Sequence, residues 1–164
     1  MAKYRSSPER PLRIFVDSNW GVKFSISGAC FELMGCNVHW FAKTQRSVSL
    51  SSTEAEWFAA MMAAREGLFL RDLLAELGVP CSGPVVMRSD NKSVIDLALD
   101  AIAFKKTKHI MRAANFLRDL CDRLYFELVW IAGSSNPADI FTKAQDLSTF
   151  RAYLALLDRL DGIA

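Results

Sequence analysis

At 164 residues, 51% of them hydrophobic, the chain is long enough to bury one real core and too short for two comfortable domains. Eleven phenylalanines and four tryptophans exclude a disordered chain, and charges interrupt every apolar stretch well short of the roughly 18 residues a membrane span needs. A net charge of +2 leaves any preference for nucleic acid to the distribution of charge rather than its sum.

The first residues are basic and polar, and only Ile14, Phe15 and Val16 precede Asp17, so no signal peptide is read and an intracellular setting is expected. Residues 1–11 form an N-terminal extension and 12–164 a single domain. Residues 12–17 are a short β-branched run that ends in Asp17, the pattern of a buried strand. Looser alternation around Gly28 and cleaner alternation through Val38, Trp40 and Ala42 predict two more strands, joined by a turn at Met34-Gly35-Cys36-Asn37. The period then changes to 3.6. Ser51, Ser52 and Thr53 offer capping oxygens for a helix that runs to Leu77, is stopped by Gly78 and Pro80, and carries an apolar stripe of Phe58, Met61, Met62, Phe69, Leu73 and Leu77. Val85–Met87 predict a fourth strand, Ser93–Leu99 a helix that Asp90 can cap, 110–124 a further helix, 125–131 a fifth strand, and the residues beyond the 133–137 loop one or two helices. The order βββαβααβα implies a mixed sheet with helices on both faces. Cys30, Cys36, Cys81 and Cys121 lack CxxC spacing, and with two histidines in the chain neither a zinc site nor a disulfide framework is indicated.

Asp17, Glu54, Asp90 and Asp139 stand where strands end or helices begin, and each alone is explained by a turn, a cap or the helix dipole. As a set they say more. If the first and fourth strands are neighbours, Asp17 and Asp90 lie side by side at the carboxyl ends of parallel strands, where open sheets bind ligands. Glu54 shares a helical face with Phe58 and Met61 and is expected to point toward the sheet, with Glu56 turned away. Four converging carboxylates repel one another unless divalent cations neutralise them, and hard oxygen ligands suit Mg²⁺ or Mn²⁺.

Four blocks add an independent signal: Ser-Leu-Ser-Ser-Thr-Glu-Ala-Glu-Trp at 49–57, Asp-Asn-Lys-Ser at 90–93, Thr-Lys-His-Ile at 107–110 and Ala-Asp-Ile-Phe-Thr-Lys at 138–143. In this order they resemble the signature blocks of the ribonuclease H domains of copia-type LTR retrotransposons, over most of the chain from about Phe15 to Lys143. The resemblance implies a five-stranded sheet in the order 3-2-1-4-5 and a two-metal endoribonuclease that cuts the RNA strand of an RNA/DNA hybrid, leaving a 3′-hydroxyl and a 5′-phosphate. It places the catalytic, metal-holding acids on Asp17, Glu54, Asp90 and Asp139, with Asp17 bridging two Mg²⁺ or Mn²⁺ ions. It also implies an RNA/DNA hybrid and an upstream reverse transcriptase domain in a polyprotein as partners.

Three departures stand out. The family commonly has a second Asp two residues after the first, where this chain has Asn19; the segment before the second strand is shorter, which predicts a trimmed strand; and the 133–137 loop holds no His. A module that binds hybrid or duplex RNA with little or no catalysis is therefore the alternative. Lys105, Lys106, Lys108, His109, Arg112 and Arg118 concentrate positive charge that either solvates a helix entrance or grips the phosphates the acids repel. Asn19, Ser52 and Asn91, beside the acids, are candidate contacts to the 2′-hydroxyls by which RNA is told from DNA.

Overall fold

A computed structural model describes residues 11–99 and 108–157, with the side chains of 97–99 and 108–110 also outside the description. Three antiparallel strands come first: β1 (Leu12–Asn19), β2 (Ile26–Leu33) and β3 (Cys36–Thr44). Met34 and Gly35, with φ of 51° and 93°, make the two-residue turn between β2 and β3, the left-handed pair that matches the twist of a hairpin. The helix α1 (Ser52–Glu76) crosses back to β4 (Val85–Ser89), parallel to β1. Helices α2 (Lys92–Leu99) and α3 (Lys108–Asp122) lead to β5 (Phe126–Trp130), parallel to β4. A 3-10 turn at Pro137–Phe141 and the helix α4 (Leu147–Leu157) complete the described chain. The sheet order is β3-β2-β1-β4-β5, as the resemblance implied.

The expected trimming of the second strand does not occur. All eight residues of β2 pair with β1, from Leu12↔Leu33 to Asn19↔Ile26. The short segment is absorbed by the connection instead: a Cβ on Gly21 would stand 2.2 Å from the Phe24 carbonyl oxygen, so the chain turns back tightly there.

Alternation along the strands separates two faces. Leu12, Ile14, Val16, Ala29, Phe31 and Phe41 face α1 and, with Met87, Val94, Leu117 and Phe126, form the core. The intervening Asp17 and Gly28 face the Pro137–Phe141 turn, on which α4 packs.

The stripe expected on α1 is not its core face. Phe69, Leu73 and Leu77 are exposed, Met61 and Met62 pack half-buried against the core, and the buried residues are Glu54, Ala55, Glu56, Trp57, Ala59, Ala60, Ala63, Ala64, Gly67 and Leu74. The helix lies so close to the sheet that a Cβ on Gly67 would be 2.5 Å from Ile14 Cδ1 and 3.1 Å from the Phe126 ring. Small residues win that face because larger ones would overpack it. At its end, Gly78 N–H donates to the Ala75 carbonyl and Val79 N–H to the Leu74 carbonyl around Gly78 at φ +80°, a Schellman cap. Among the described residues no helix is long and apolar enough to cross a membrane, and the four cysteines are free.

Candidate active site

Parallel pairing of β1 with β4 brings Asp17 and Asp90 together in the crevice beyond the strands' carboxyl ends. The third member of the cluster is Glu56. One carboxylate oxygen from each of Asp17, Glu56 and Asp90 lies within 4.8 Å of the others. Glu56 sits four residues before Ala60 and seven before Ala63, on the small-residue face of α1, so it is carried onto the sheet; its Oε1 accepts the Ser18 N–H at 3.3 Å.

Glu54, expected in this place, is engaged elsewhere. Ser51 is the N-cap of α1 and its hydroxyl accepts the Glu54 N–H at 3.2 Å, while Glu54 Oε2 accepts the Leu50 N–H at 2.7 Å. This is a capping box that reaches one residue further back than usual, and it consumes the carboxylate on backbone donors. Phe58 and Met61, the large side chains that point to Glu54 as the inward acid, are only half-buried, whereas Ala60 and Ala63 on the face of Glu56 are fully buried. The N-cap reading of Asp90 is also corrected: Asn91 precedes the first residue of α2, and its Oδ1 accepts the Ser93 N–H at 3.0 Å. Asp90 is thereby left free to face the crevice.

Asp139 lies in the first turn of the Pro137–Phe141 segment, held by its contacts with Lys143 Nζ and with Gln145 Nε2, the latter at 2.6 Å. The segment is pinned to β1 by Asn136, fully buried, whose Nδ2 donates to the Val16 carbonyl at 3.0 Å and whose Oδ1 accepts the Ala138 N–H. The Thr142 hydroxyl donates to Asp17 Oδ2, and Lys143 Nζ is 3.5 Å from the same oxygen. Thr142, Lys143 and Gln145 were not anticipated. The first two are the last residues of the 138–143 block, and Lys143 falls one helical turn after Asp139, a spacing that favours an ion pair.

Burial dominates the electrostatics. It raises the Asp17 carboxyl to about 6, against the opposing hydrogen bond from Thr142 and the charge of Lys143. Burial, with Asp17 alongside, raises Glu56 to about 8 against the opposing pull of the Ser18 side chain and N–H, and Glu56 Oε2 is buried without a hydrogen-bond partner. Burial opposes the Lys143 charge too, yet its bond to Asp139 and the field of Asp17 hold the ammonium up at about 12. Asp139 would also be raised by burial, but Lys143 and Gln145 keep it below its ordinary value. An unsatisfied carboxylate oxygen inside a cluster of oxygen donors fits a hard divalent cation, which would serve those lone pairs and favour the charged forms.

The expected substrate contacts are placed unevenly. Asn19 ends β1 half-buried, Ser52 is exposed in the first turn of α1, and Arg112 is exposed on α3. Asn91 is half-buried with its amide oxygen committed to the cap. Lys105 and Lys106 lie outside the described residues, as do the side chains of Lys108 and His109. Trp20 and Trp130 are half exposed, and their indole N–H groups are tied to the carbonyls of Ser49 and Asp90. Only Trp57 of these three is core. His39 packs against Phe31 with ring centroids 4.9 Å apart, a structural place.

The chain matches no protein-family model. It is 34% identical over 126 residues, 77% of its length, to the retrovirus-related Pol polyprotein from transposon TNT 1-94 of Nicotiana tabacum. It is 27% identical over 146 residues, 87% of its length, to that from transposon RE2 of Arabidopsis thaliana. It spans 9% and 10% of these polyproteins. Among solved structures, the N-terminal RNase H domain of Rv2228c from Mycobacterium tuberculosis superposes with a TM-score of 0.59 at 13% identity, covering 87% of this chain and 95% of that one. LC11-RNase H1, solved in complex with an RNA/DNA hybrid, superposes with a TM-score of 0.61 at 14% identity, covering 80% and 93%. At such identities the likeness speaks for the fold, and the sequence kinship supplies the lineage. Homology to retrotransposon Pol polyproteins and the RNase H fold together place this chain among the copia-type RNase H domains.

Proposed function

We propose that this chain is an endoribonuclease that uses divalent cations to hydrolyse the RNA strand of RNA/DNA hybrids, as in retrotransposon reverse transcription. The observation that carries the reading is the convergence of Asp17, Glu56 and Asp90 in the crevice at the ends of β1 and β4, with a buried carboxylate oxygen that has no hydrogen-bond partner. Asp17, Glu56 and Asp90 would hold one Mg²⁺ or Mn²⁺, and Asp17 with Asp139 a second. Such ions, when bound, supply Lewis acidity toward a phosphodiester and lower the pKa of water, giving 3′-hydroxyl and 5′-phosphate ends.

The chain's own part is orientation. The Ser18 N–H fixes Glu56, the Thr142 hydroxyl fixes Asp17, and Gln145 fixes Asp139, so three acids are aimed before any ion arrives. Asn19, Ser52 and Asn91, close to the acids in sequence, are assigned to 2′-hydroxyl contact, which selects RNA without reading bases. Lys105, Lys106, Lys108, His109 and Arg112 are assigned to the phosphate backbone. The hybrid in the LC11-RNase H1 complex supports this substrate, and the Pol polyprotein relatives support an upstream domain, which we assign as a reverse transcriptase; an intracellular site of action is our reading of the sequence alone.

The test is incubation with end-labelled RNA/DNA hybrid, RNA duplex and DNA duplex in Mg²⁺, Mn²⁺ or EDTA. Cleavage confined to the RNA strand of the hybrid and abolished by EDTA is expected; cutting that survives EDTA or falls on DNA would overturn the reading. Asn19 in place of the family's Asp motivates the alternative of a binding module, and hybrid retained without cleavage in either metal is the result that favours it.

A further inference from the structure

We propose that Lys143 is the resident counter-ion of this site, holding its Asp17–Asp139 half closed to a divalent cation until the ammonium is drawn away. The inference rests on the metal-dependent reading above. Lys143 Nζ contacts Asp139 Oδ1 and lies 3.5 Å from Asp17 Oδ2, so one ammonium spans the two acids assigned to the second ion. The other half differs. Asp17, Glu56 and Asp90 gather within 4.8 Å, and Glu56 Oε2 is buried without a hydrogen-bond partner.

The two halves therefore start from different charge states. A dication entering between Asp17, Glu56 and Asp90 meets acids of which only Asp17 has an ammonium beside it, whereas one entering between Asp17 and Asp139 must displace a cation seated on both. Lys143 can leave without dismantling the acids: the Thr142 hydroxyl still holds Asp17, and Gln145 still holds Asp139. Its side chain is 42% exposed, so it has an outward path, and a substrate phosphate arriving at the crevice offers the ammonium a competing partner. Nothing titrates in this exchange, because Lys143 stays charged before and after it. Ion binding then becomes sequential: one ion to the free protein, the second when nucleic acid draws Lys143 off.

The experiment measures Mn²⁺ binding by calorimetry without nucleic acid, and thermal unfolding in EDTA, on the full chain carrying Lys143→Met, Lys143→Gln or Lys143→Arg. The parent is expected to bind one Mn²⁺. Lys143→Met is expected to gain a second event, at least about tenfold tighter than any in the parent, and to melt lower in EDTA with recovery in Mn²⁺. Lys143→Arg should follow the parent. Lys143→Gln, of similar length and still a donor, carries the test if Lys143→Met does not fold: loss of folding that Mn²⁺ restores supports the counter-ion role, and loss that Mn²⁺ does not restore counts against it. Isotherms and metal-free melting identical to the parent in both neutral variants would overturn the proposal. A parent that binds no Mn²⁺ would instead remove the metal-dependent reading beneath it.

Discussion

Exchanging a carboxylate for its amide separates the two glutamates at the start of α1. Glu56→Gln keeps the acceptor for the Ser18 N–H but removes a negative charge from the cluster, so RNA cleavage should fall by orders of magnitude while the fold persists. In EDTA the variant should melt close to the parent near pH 7, where burial already keeps Glu56 protonated, and above the parent once the pH passes about 8 and the parent must carry a buried charge beside Asp17. Glu54→Gln retains an acceptor for the Leu50 N–H and should cost at most about 1 kcal/mol of stability, with cleavage close to the parent's. Asp90→Asn belongs with Glu56→Gln, because the cap of α2 is supplied by Asn91. Single-turnover cleavage and thermal unfolding of the three variants decide the matter, and an inactive Glu54→Gln beside an active Glu56→Gln would reverse the assignment. That the site holds an acid from the 49–57 block was legible in the sequence; which acid was not. Two residues on a helix differ by about 200° in direction, and the choice depends on which face meets the sheet.

That face is an element-scale property, and it explains the main misreading of the chain. Large apolar residues usually mark the core side of a helix, and Trp57 and Leu74 do so on α1, but between them Ala59, Ala60, Ala63 and Gly67 fill that face, because at Gly67 the helix approaches Ile14 and Phe126 too closely for bulk. Strands fared better: their period of two and the turn at Met34-Gly35 are local signals, and β1 to β5 were all anticipated within a few residues. The contact between β2 and the Pro137–Phe141 turn was out of reach, since it joins residues more than a hundred positions apart. Gly28, paired with Asp17 across the β1–β2 ladder, is its floor: a Cβ there would lie 2.6 Å from Thr142 Cγ2, 2.9 Å from Phe141 Cβ and 3.2 Å from the Ala138 carbonyl oxygen. Gly28→Ala should push the turn off the sheet, costing about 1–3 kcal/mol as overpacking and withdrawing Asp139 and Thr142 from Asp17. Urea unfolding should show the loss, and cleavage should fall more than stability alone explains, even under conditions where the variant is fully folded. Unchanged cleavage in folded Gly28→Ala would mean that the turn does not need this seat.

Across the whole molecule the near-balance of charge conceals a division of labour. The crevice collects Asp17, Glu56, Asp90 and Asp139 against Lys143, a local excess of negative charge that repels a nucleic-acid backbone unless cations intervene. A chain of net charge +2 must then hold that backbone with basic groups concentrated away from the acids. The sequence concentrates them at Lys105, Lys106, Lys108 and Arg112, between α2 and the first turns of α3, and Arg112 is exposed. Each phosphate contact releases condensed counter-ions, so it adds to the slope of log affinity against log salt, by about 0.9 on B-form DNA and by a similar amount on a hybrid. Replacing Lys105, Lys106 and Arg112 together by Ala should therefore weaken hybrid binding at low salt and flatten the slope by about two to three. The measurement uses Glu56→Gln as the background, so that cleavage does not consume the hybrid, with fluorescence anisotropy at four or more salt concentrations. The loss should be uniform across hybrid sequences, because phosphate contacts position without reading bases. A slope equal to that of the background protein would return these residues to a solvated helix entrance and require the phosphates to be held elsewhere on the crevice rim.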